Sequence, residues 1–270
     1  MENFKINISQ EYGLPGNGTM EAFIHSATPE MSKFVQDLPA IVVCPGGGYH
    51  FVSEREAEPI AIDFFNRNFN AFVLTYDVAP NAKYPLALTQ LACTIDFIRK
   101  NAEAYRVNPD KVYVVGFSAG GHLVGCLANL HKDLPCDLID ASKLNASPNG
   151  VILSYPVIFP HSHSGSYKNL IGEDFMDQPI TKRLSLDETV NEHNPPCFIW
   201  TTAEDTCVDP TATTRYANSL LLNKIKCECH VFPTGWHGGA TCDGRTNQEF
   251  GPLKKAGIWM DLATEFLLSL

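Results

Sequence analysis

The sequence predicts an α/β fold, with a central, mostly parallel β-sheet, helices on both faces and an antiparallel hairpin at the N-terminal edge. Three observations carry this prediction. Short apolar runs alternate with longer segments in which apolar residues recur every three or four positions. Most of the apolar runs are continuous, as is typical of strands buried on both faces. The first two runs flank a glycine-containing stretch at residues 13–18 and so resemble a hairpin.

Eight strands are expected, in the order in which the apolar runs occur. The first pair forms the hairpin. The third contains Ile41-Val42-Val43-Cys44 and the fifth Val112-Tyr113-Val114-Val115, and both are too uniformly apolar to leave one face in water. The predicted strands cover residues 4–8, 20–25, 40–44, 71–75, 111–115, 150–154, 197–202 and 227–232.

Five helices are expected between and after the later strands, because apolar residues there recur at helical spacing. They cover residues 56–67, 85–101, 119–130, 210–222 and 252–268. The connection at residues 156–196 shows no such pattern and is read as irregular. A connection this long in a compact domain is usually functional, so it predicts a short lid or a wall of a binding pocket.

Length and composition fit one domain spanning residues 1–270, with 44% hydrophobic and 19% charged residues. The net charge of −10 provides no basic surface for a phosphate backbone or an anionic membrane, so neither nucleic acid nor membrane is an expected partner. No leader pattern or bilayer-length apolar run is visible. The nine cysteines match no disulfide scaffold, and several lie in apolar runs, as reduced core thiols do. A cytoplasmic protein is expected.

The stretch Gly116-Phe117-Ser118-Ala119-Gly120 joins the fifth predicted strand to the helix at residues 119–130. A serine at the apex of a strand–turn–helix, with glycines two residues to either side, is the pattern of a nucleophile elbow. The amide of Ala119, at the start of the helix, can face a developing oxyanion. The pattern predicts Ser118 as a nucleophile. The alternative is a surface loop that contains the pattern by chance, and the flanking strand and helix disfavour it.

A second glycine stretch, Pro45-Gly46-Gly47-Gly48-Tyr49, follows the third predicted strand. Serine hydrolases with such an elbow place further oxyanion donors after that strand, and glycines let the backbone approach a substrate carbonyl closely. Gly47 is the first choice for the donor, with Gly48 or Gly46 assisting. The alternative is a phosphate-binding loop, but neither of the usual glycine spacings for phosphate is present.

A base and its orienting acid should follow the serine in chain order. The loop after the strand at 197–202 carries Glu204, Asp205 and Asp209, all at the sheet edge that Ser118 occupies. Asp205 is preferred, because Asp209 precedes a proline and resembles a helix N-cap, and Glu204 is expected to face solvent. The base is His237, on a glycine-flanked loop after the last predicted strand.

The other histidines in reach are given no chemical role. His122 lies on the elbow helix and is expected to pack. His161 and His163 resemble a metal pair only superficially, since no third ligand is in register. Neither a metal nor an organic cofactor is expected.

Several motifs together resemble a known family. These are the glycine stretch at 45–49, Arg55-Glu56-Ala57-Glu58-Pro59, the residues at 74–80, the elbow with Gly121-His122-Leu123, and Pro195-Pro196. From about residue 40 onward the chain is similar to α/β-hydrolase esterases of the acetyl-xylan esterase and feruloyl-esterase-like group, relatives of the hormone-sensitive-lipase-like carboxylesterases. In the lipase-like relatives a histidine precedes the glycines, whereas Pro45 stands there in this chain.

The resemblance implies the α/β-hydrolase fold, a triad of Ser118, Asp205 and His237, and removal of small acyl groups, often acetyl, from sugar or small-alcohol esters. The expected partner is a small ester, such as an acetylated oligosaccharide, and a homo-oligomer is an open expectation. Tyr49 and Trp236 are the candidates for substrate contacts. Two alternatives stay open: a peptidase or amidase of the same fold, and a binding module that has lost the reaction.

Overall fold

The structure is a computed structural model that describes residues 1–247, 251 and 253–270. The strands are β1 (Glu2–Asn7), β2 (Thr19–Ile24), β3 (Leu38–Cys44), β4 (Asn70–Thr75), β5 (Val107–Phe117), β6 (Gly150–Ser154), β7 (Cys197–Thr202) and β8 (Cys227–Phe232). The helices are α1 (Ile8–Glu11), α2 (Glu58–Phe65), α3 (Leu86–Lys100), α4 (Ala102–Tyr105), α5 (Ala119–Leu130), α6 (Ser164–Leu170), α7 (Pro179–Arg183), α8 (Leu186–Thr189), α9 (Thr211–Leu222) and α10 (Trp259–Leu268).

The strands form one sheet in the order β1-β2-β4-β3-β5-β6-β7-β8. β1 pairs antiparallel with β2, and β2 pairs antiparallel with β4, while all later pairs are parallel. The predicted fold class, a mostly parallel sheet with an N-terminal hairpin at its edge, is confirmed. Each of the eight predicted strands is present, with its ends displaced by a few residues at most, mainly in β5, which begins at Val107.

Apart from the one-turn helices α1 and α4, which the sequence does not predict, the helix predictions differ from the structure in two places. Residues 156–196 are not irregular, because they contain α6, α7 and α8, each too short to show helical periodicity in the sequence. The predicted helix at 252–268 begins later: a 3₁₀ turn at Ala256–Ile258 leads into α10. Its predicted first residue, Pro252, lies outside the described residues.

The sheet separates two apolar clusters. Within β3, Ala40 and Val42 belong to one cluster, while Ile41 and Val43 belong to the other, because successive side chains of a strand point to opposite faces. Helices α3, α5 and α9 contribute to the first cluster, and α2 and α10 contribute to the second. Burial on both faces explains why the central strands read as continuous apolar runs.

Parallel pairing brings the carboxyl ends of six strands, β3 to β8, to one edge of the sheet. Cys44 of β3 lies beside Gly116 of β5, and Phe117 lies beside Ser154 of β6. The loops after β3, β5, β7 and β8 therefore meet at this edge, where open α/β sheets bind their ligands. In the part of the chain that the structure describes, no helix is both long and apolar enough to cross a bilayer.

His122 of α5 is fully buried, as the sequence predicted for a packing residue. Its Nε2 lies 2.9 Å from the carbonyl oxygen of Leu184, which can only accept a hydrogen bond, so Nε2 carries the proton. Nδ1 then accepts from the Tyr49 hydroxyl at 2.9 Å. The Tyr167 hydroxyl and the Cys126 thiol complete the surroundings. Burial lowers the pKa of His122 to about 4.

This buried histidine makes stability depend on pH. The free energy of unfolding is expected to fall as the pH drops below 6.5, because the unfolded chain binds a proton at His122 that the folded protein resists binding until about pH 4. The slope from this residue approaches about 1.4 kcal/mol per pH unit. Denaturant unfolding across this range should show a shallower slope in His122→Gln than in the wild type. Equal slopes in the two proteins would contradict the prediction.

Candidate active site

Ser118 lies at the tip of a sharp turn between β5 and α5. Its backbone has φ +52° and ψ −117°, a conformation that non-glycine residues rarely adopt and that typically marks functional sites. The two flanking glycines are required by contact: a Cβ on Gly116 would lie 2.3 Å from the Gly120 carbonyl oxygen. A Cβ on Gly120 would lie 2.2 Å from the Cys44 carbonyl oxygen. The turn has the geometry of a nucleophile elbow.

The structure brings the three predicted triad side chains together. His237 Nε2 lies 2.8 Å from Ser118 Oγ, and His237 Nδ1 lies 2.6 Å from Asp205 Oδ2. The carboxylate of Asp205 can only accept, so Nδ1 carries the proton and Nε2 of the neutral ring is free to accept the proton of Ser118. The Tyr155 ring packs against the imidazole in an edge-to-face arrangement, with centroids 5.0 Å apart.

The three acidic residues of the loop after β7 make different contacts and so have different roles. Asp205 is 6% exposed, and its second oxygen, Oδ1, accepts from the amides of Cys207 and Val208, each at 2.9 Å. Asp209 accepts from the amide and hydroxyl of Thr211 at the start of α9, as expected of a capping residue. Glu204 is exposed, and it also holds the histidine loop by accepting from the amide of Gly235 at 3.0 Å.

The three glycines of the loop after β3 differ in the environment of their backbone amides. The amide of Gly46 donates to Glu56 Oε2 at 2.8 Å, so that N–H is already engaged. Gly47 and Gly48 line the cleft beside Ser118. Gly47 has φ +124°, and a Cβ there would lie 2.0 Å from the Phe51 carbonyl oxygen, so this position requires glycine. Gly47 and Gly48 thus remain the candidate oxyanion donors of this loop, opposite Ala119.

The structure places the two predicted substrate contacts, Tyr49 and Trp236, outside the lining of the cleft. Tyr49 is 2% exposed and its hydroxyl bonds to His122, because a positive φ of +57° turns the chain after the glycines. Trp236 packs against the cluster on the α2 and α10 face of the sheet. Neither side chain is among those that line the cleft at Ser118.

The cleft encloses about 380 Å³ above Ser118 and His237. Several of the residues that line it have no site role predicted from the sequence. These are His50, Phe51, Ser53, Arg55, Glu56, His163, Asn169, Cys207 and Gly238. His163 and Asn169 come from residues 156–196, and Asn169 also donates to the Gly48 carbonyl at 2.9 Å. The segment thus supplies part of one wall.

His163 is the one of these that the sequence analysis weighed, as half of a metal pair with His161. Its Nδ1 accepts from the amide of Ser166 at 3.2 Å, so the proton of the neutral ring sits on Nε2. Burial lowers the pKa of His163, and the neighbouring His237 lowers it further. His163 is therefore a neutral hydrogen-bond donor in the wall of the cleft.

Comparison with known proteins agrees with this geometry. Residues 28–220 match the BD-FAE family model. Endo-1,4-beta-xylanase B of Butyrivibrio fibrisolvens is 39% identical over 203 residues, which cover 73% of this chain and 32% of that protein. Acetylxylan esterase of Xylanibacter ruminicola is 29% identical over 219 residues, covering 77% of this chain and 43% of that protein. The chain thus spans less than half the length of both relatives.

Solved structures match over nearly the whole chain. An α/β hydrolase from a Medee basin deep-sea metagenome library, MGS-M1, is 31% identical, with a TM-score of 0.79 over 100% of this chain and 97% of its own. The carboxylesterase Cest-2923 of Lactobacillus plantarum is 26% identical, with a TM-score of 0.85 over 99% of this chain and 96% of its own. The strand order, the elbow and these matches agree: the chain belongs to the BD-FAE family and has the α/β-hydrolase fold.

Proposed function

We propose that this protein is a serine carboxylesterase that removes short acyl groups, above all acetyl, from esters of carbohydrates or small alcohols. The observation that carries the proposal is the chain of hydrogen bonds from Asp205 through His237 to Ser118, at 2.6 and 2.8 Å, opening into a cleft. This arrangement activates a hydroxyl for attack on a carbonyl carbon.

The reaction proceeds through an acyl-enzyme. Ser118 Oγ attacks the ester carbonyl while His237 Nε2 takes its proton, and the buried carboxylate of Asp205 stabilises the imidazolium. The tetrahedral intermediate collapses, the alcohol leaves with the proton from His237, and Ser118 keeps the acyl group as an ester. Water, deprotonated by His237, then releases the carboxylic acid and restores the serine.

Backbone amides stabilise the negative oxygen of the intermediate. The amide of Ala119 lies at the N-terminal end of α5, where helix amides have no intrahelical partner. Gly47 and Gly48 supply the opposing donors, with the Gly46 amide committed to Glu56. Removing one such donor typically lowers kcat about 10²- to 10³-fold.

The polar walls of the cleft support a hydroxyl-bearing leaving group. His50, His163 and Asn169 line it. The Nε2–H group of His163 can donate a hydrogen bond to a hydroxyl or ring oxygen of a sugar. The similarity to an acetylxylan esterase favours acetyl as the acyl group. Residues 156–196 would then act as a wall of the acceptor site.

The organisation and location of the protein are also proposals. We take residues 1–270 as one catalytic domain, which is supported by the single sheet that contains all the described strands. All nine cysteines are free, which supports a reducing compartment such as the cytoplasm.

A panel of p-nitrophenyl esters of increasing acyl length, run beside acetylated xylo-oligosaccharides, tests the proposed function. We expect kcat/KM to be highest for acetate, to fall sharply beyond butyrate, and acetate to be released from the oligosaccharides. A preference for long acyl chains would contradict the acyl assignment. Absence of hydrolysis across the whole panel would contradict the esterase assignment.

A further inference from the structure

Glu56 is a buried carboxylate in the wall of the cleft, only 3% exposed. Its two oxygens have different partners. Oε2 accepts from the amide of Gly46 at 2.8 Å, and Oε1 accepts from the hydroxyl of Tyr155 at 2.8 Å. The neighbouring acidic residues Glu54 and Glu58 are exposed.

The first of these contacts, between Glu56 and the Gly46 amide, fixes the position of the glycine loop. Gly46 directly precedes the two candidate oxyanion donors, and its carbonyl accepts from the amide of Ser53 at 3.0 Å, which closes the loop. On the other side, the carbonyl of Pro45 accepts from the Tyr76 hydroxyl at 2.6 Å. Glu56 and Tyr76 thus hold the loop from both sides at the place where lipase-like relatives carry a histidine.

The second contact reaches the histidine loop. The Tyr155 ring packs against His237, and its hydroxyl accepts from the amide of Ala240 at 3.0 Å. The adjacent Arg55 adds a parallel tether, since its Nη1 donates to the Gly238 carbonyl at 3.3 Å. One short segment therefore contacts both the oxyanion loop and the loop that carries the base.

The burial of the Glu56 carboxylate is expected to lower the stability of the folded protein. In the described part of the chain, the donors that reach its oxygens are a backbone amide and a phenol, both uncharged. Burying a carboxylate costs free energy that neutral donors offset only in part. An apolar side chain would fill the same volume without the free-energy cost of burying a charge. It would, however, leave the Gly46 amide and the Tyr155 hydroxyl without their hydrogen-bond acceptor.

We propose that Glu56 is a positioning residue, which holds the oxyanion donors and His237 in register with Ser118. The inference rests on the proposed function. Because Glu56 acts on the placement of reacting groups and not on substrate capture, its loss should lower kcat with little change in KM. Misplacement of such groups by about 1 Å can cost about 10²-fold in rate.

The test compares Glu56→Gln and Glu56→Ala with two matched controls on the same segment, Glu54→Gln and Glu58→Gln. With p-nitrophenyl acetate we expect kcat to fall about 10- to 100-fold in Glu56→Ala while KM stays within about threefold. Glu56→Gln should recover part of the loss, because its amide oxygen can still accept from Gly46. Both controls should match the wild type.

Tyr155→Phe supplies a second readout. Glu56 and Tyr155 act as one unit in this account, so the double variant Glu56→Ala, Tyr155→Phe should lose hardly more kcat than Glu56→Ala alone. Fully additive losses would contradict the shared role. Melting temperatures, measured for every variant, separate misplacement from unfolding.

Two results would overturn the inference: a kcat of folded Glu56→Ala within about twofold of the wild type, or a loss that appears entirely in KM. Should Glu56→Ala not fold, Glu56→Gln, which keeps the side-chain volume, decides by the same criteria. The proposed function fails separately, through a wild-type protein that hydrolyses no ester. In that case the positioning role is tested by the hydrogen-exchange rates of the amides at residues 46–48 and 237–240. Equal rates in Glu56→Gln and the wild type would overturn the inference.

Discussion

Replacing Ser118 by alanine is expected to lower kcat for ester hydrolysis roughly 10⁵- to 10⁶-fold, the largest effect of any single change in this protein. The variant lacks the oxygen that becomes acylated, so only the hydrolysis supported by the oxyanion donors and binding remains. The measurement is initial rates on p-nitrophenyl acetate, with enough enzyme to detect the residual rate.

The fold of Ser118→Ala should be unaffected, which makes the loss of activity interpretable. The backbone bonds at this position do not involve the side chain: the Ser118 amide donates to the Ser154 carbonyl at 3.0 Å, and the Ser118 carbonyl accepts from His122 at 3.0 Å and from Val157 at 3.1 Å. Alanine meets the same backbone conformation with a side chain of similar size. Turnover near the wild-type level in a folded variant would contradict the assignment of Ser118.

Replacing Asp205 by asparagine is expected to lower kcat by up to about 10⁴-fold, because it reverses the tautomer of His237. Asp205 Oδ1 accepts from the amides of Cys207 and Val208, so the single oxygen of an asparagine must occupy that site. The NH₂ group is left facing His237 Nδ1, which then has to accept. The proton of the neutral ring moves to Nε2, where it blocks proton transfer from Ser118.

Asp209→Asn is the matched control for this change. It removes the same charge from the same loop, but Asp209 is exposed and contacts Thr211 at the start of α9, away from His237. We expect the control to keep nearly full kcat and to lose at most a fraction of the stability that an N-cap contributes, about 1 kcal/mol. Similar kcat values for the two variants would contradict the role given to Asp205.

The elbow and the sheet could be predicted from the sequence because their signals are local. β5 is a continuous apolar run, and the glycines on either side of Ser118 are required by contacts that any such turn makes. The order of serine, acid and base is typical of enzymes with this elbow, and the common edge at which parallel strands end places all three together. Asp205 could be preferred over Asp209 because a proline after an acidic residue indicates a helix start.

The walls of the cleft could not be predicted in the same way, because they depend on contacts between distant residues. Glu56 meets Tyr155, 99 positions away. It lies in one of the motifs that carry the family resemblance, but the local sequence does not indicate that it is buried while Glu54 is exposed. His163 was compared with His161 as a metal ligand, whereas its bond to Ser166 and its place in the cleft depend on α6. The one usable signal was the position of this histidine in a long connection after β6.

The positions of Tyr49 and Trp236 could not be predicted for a related reason. Both adjoin site residues in the chain, but neighbours in sequence need not be neighbours in space. A positive φ at Tyr49 sends its ring into the core, towards His122. Trp236 directly precedes His237, yet its side chain packs on the sheet face formed with α2 and α10.

Covalent labelling with a fluorophosphonate, followed by peptide mapping, tests the central claim most directly, since it reports the nucleophile without assuming a substrate. The account predicts one adduct per chain, on Ser118, with labelling slowed strongly in Asp205→Asn and left unchanged in Asp209→Asn. No adduct on the folded wild-type protein, or an adduct on a different side chain, would contradict it.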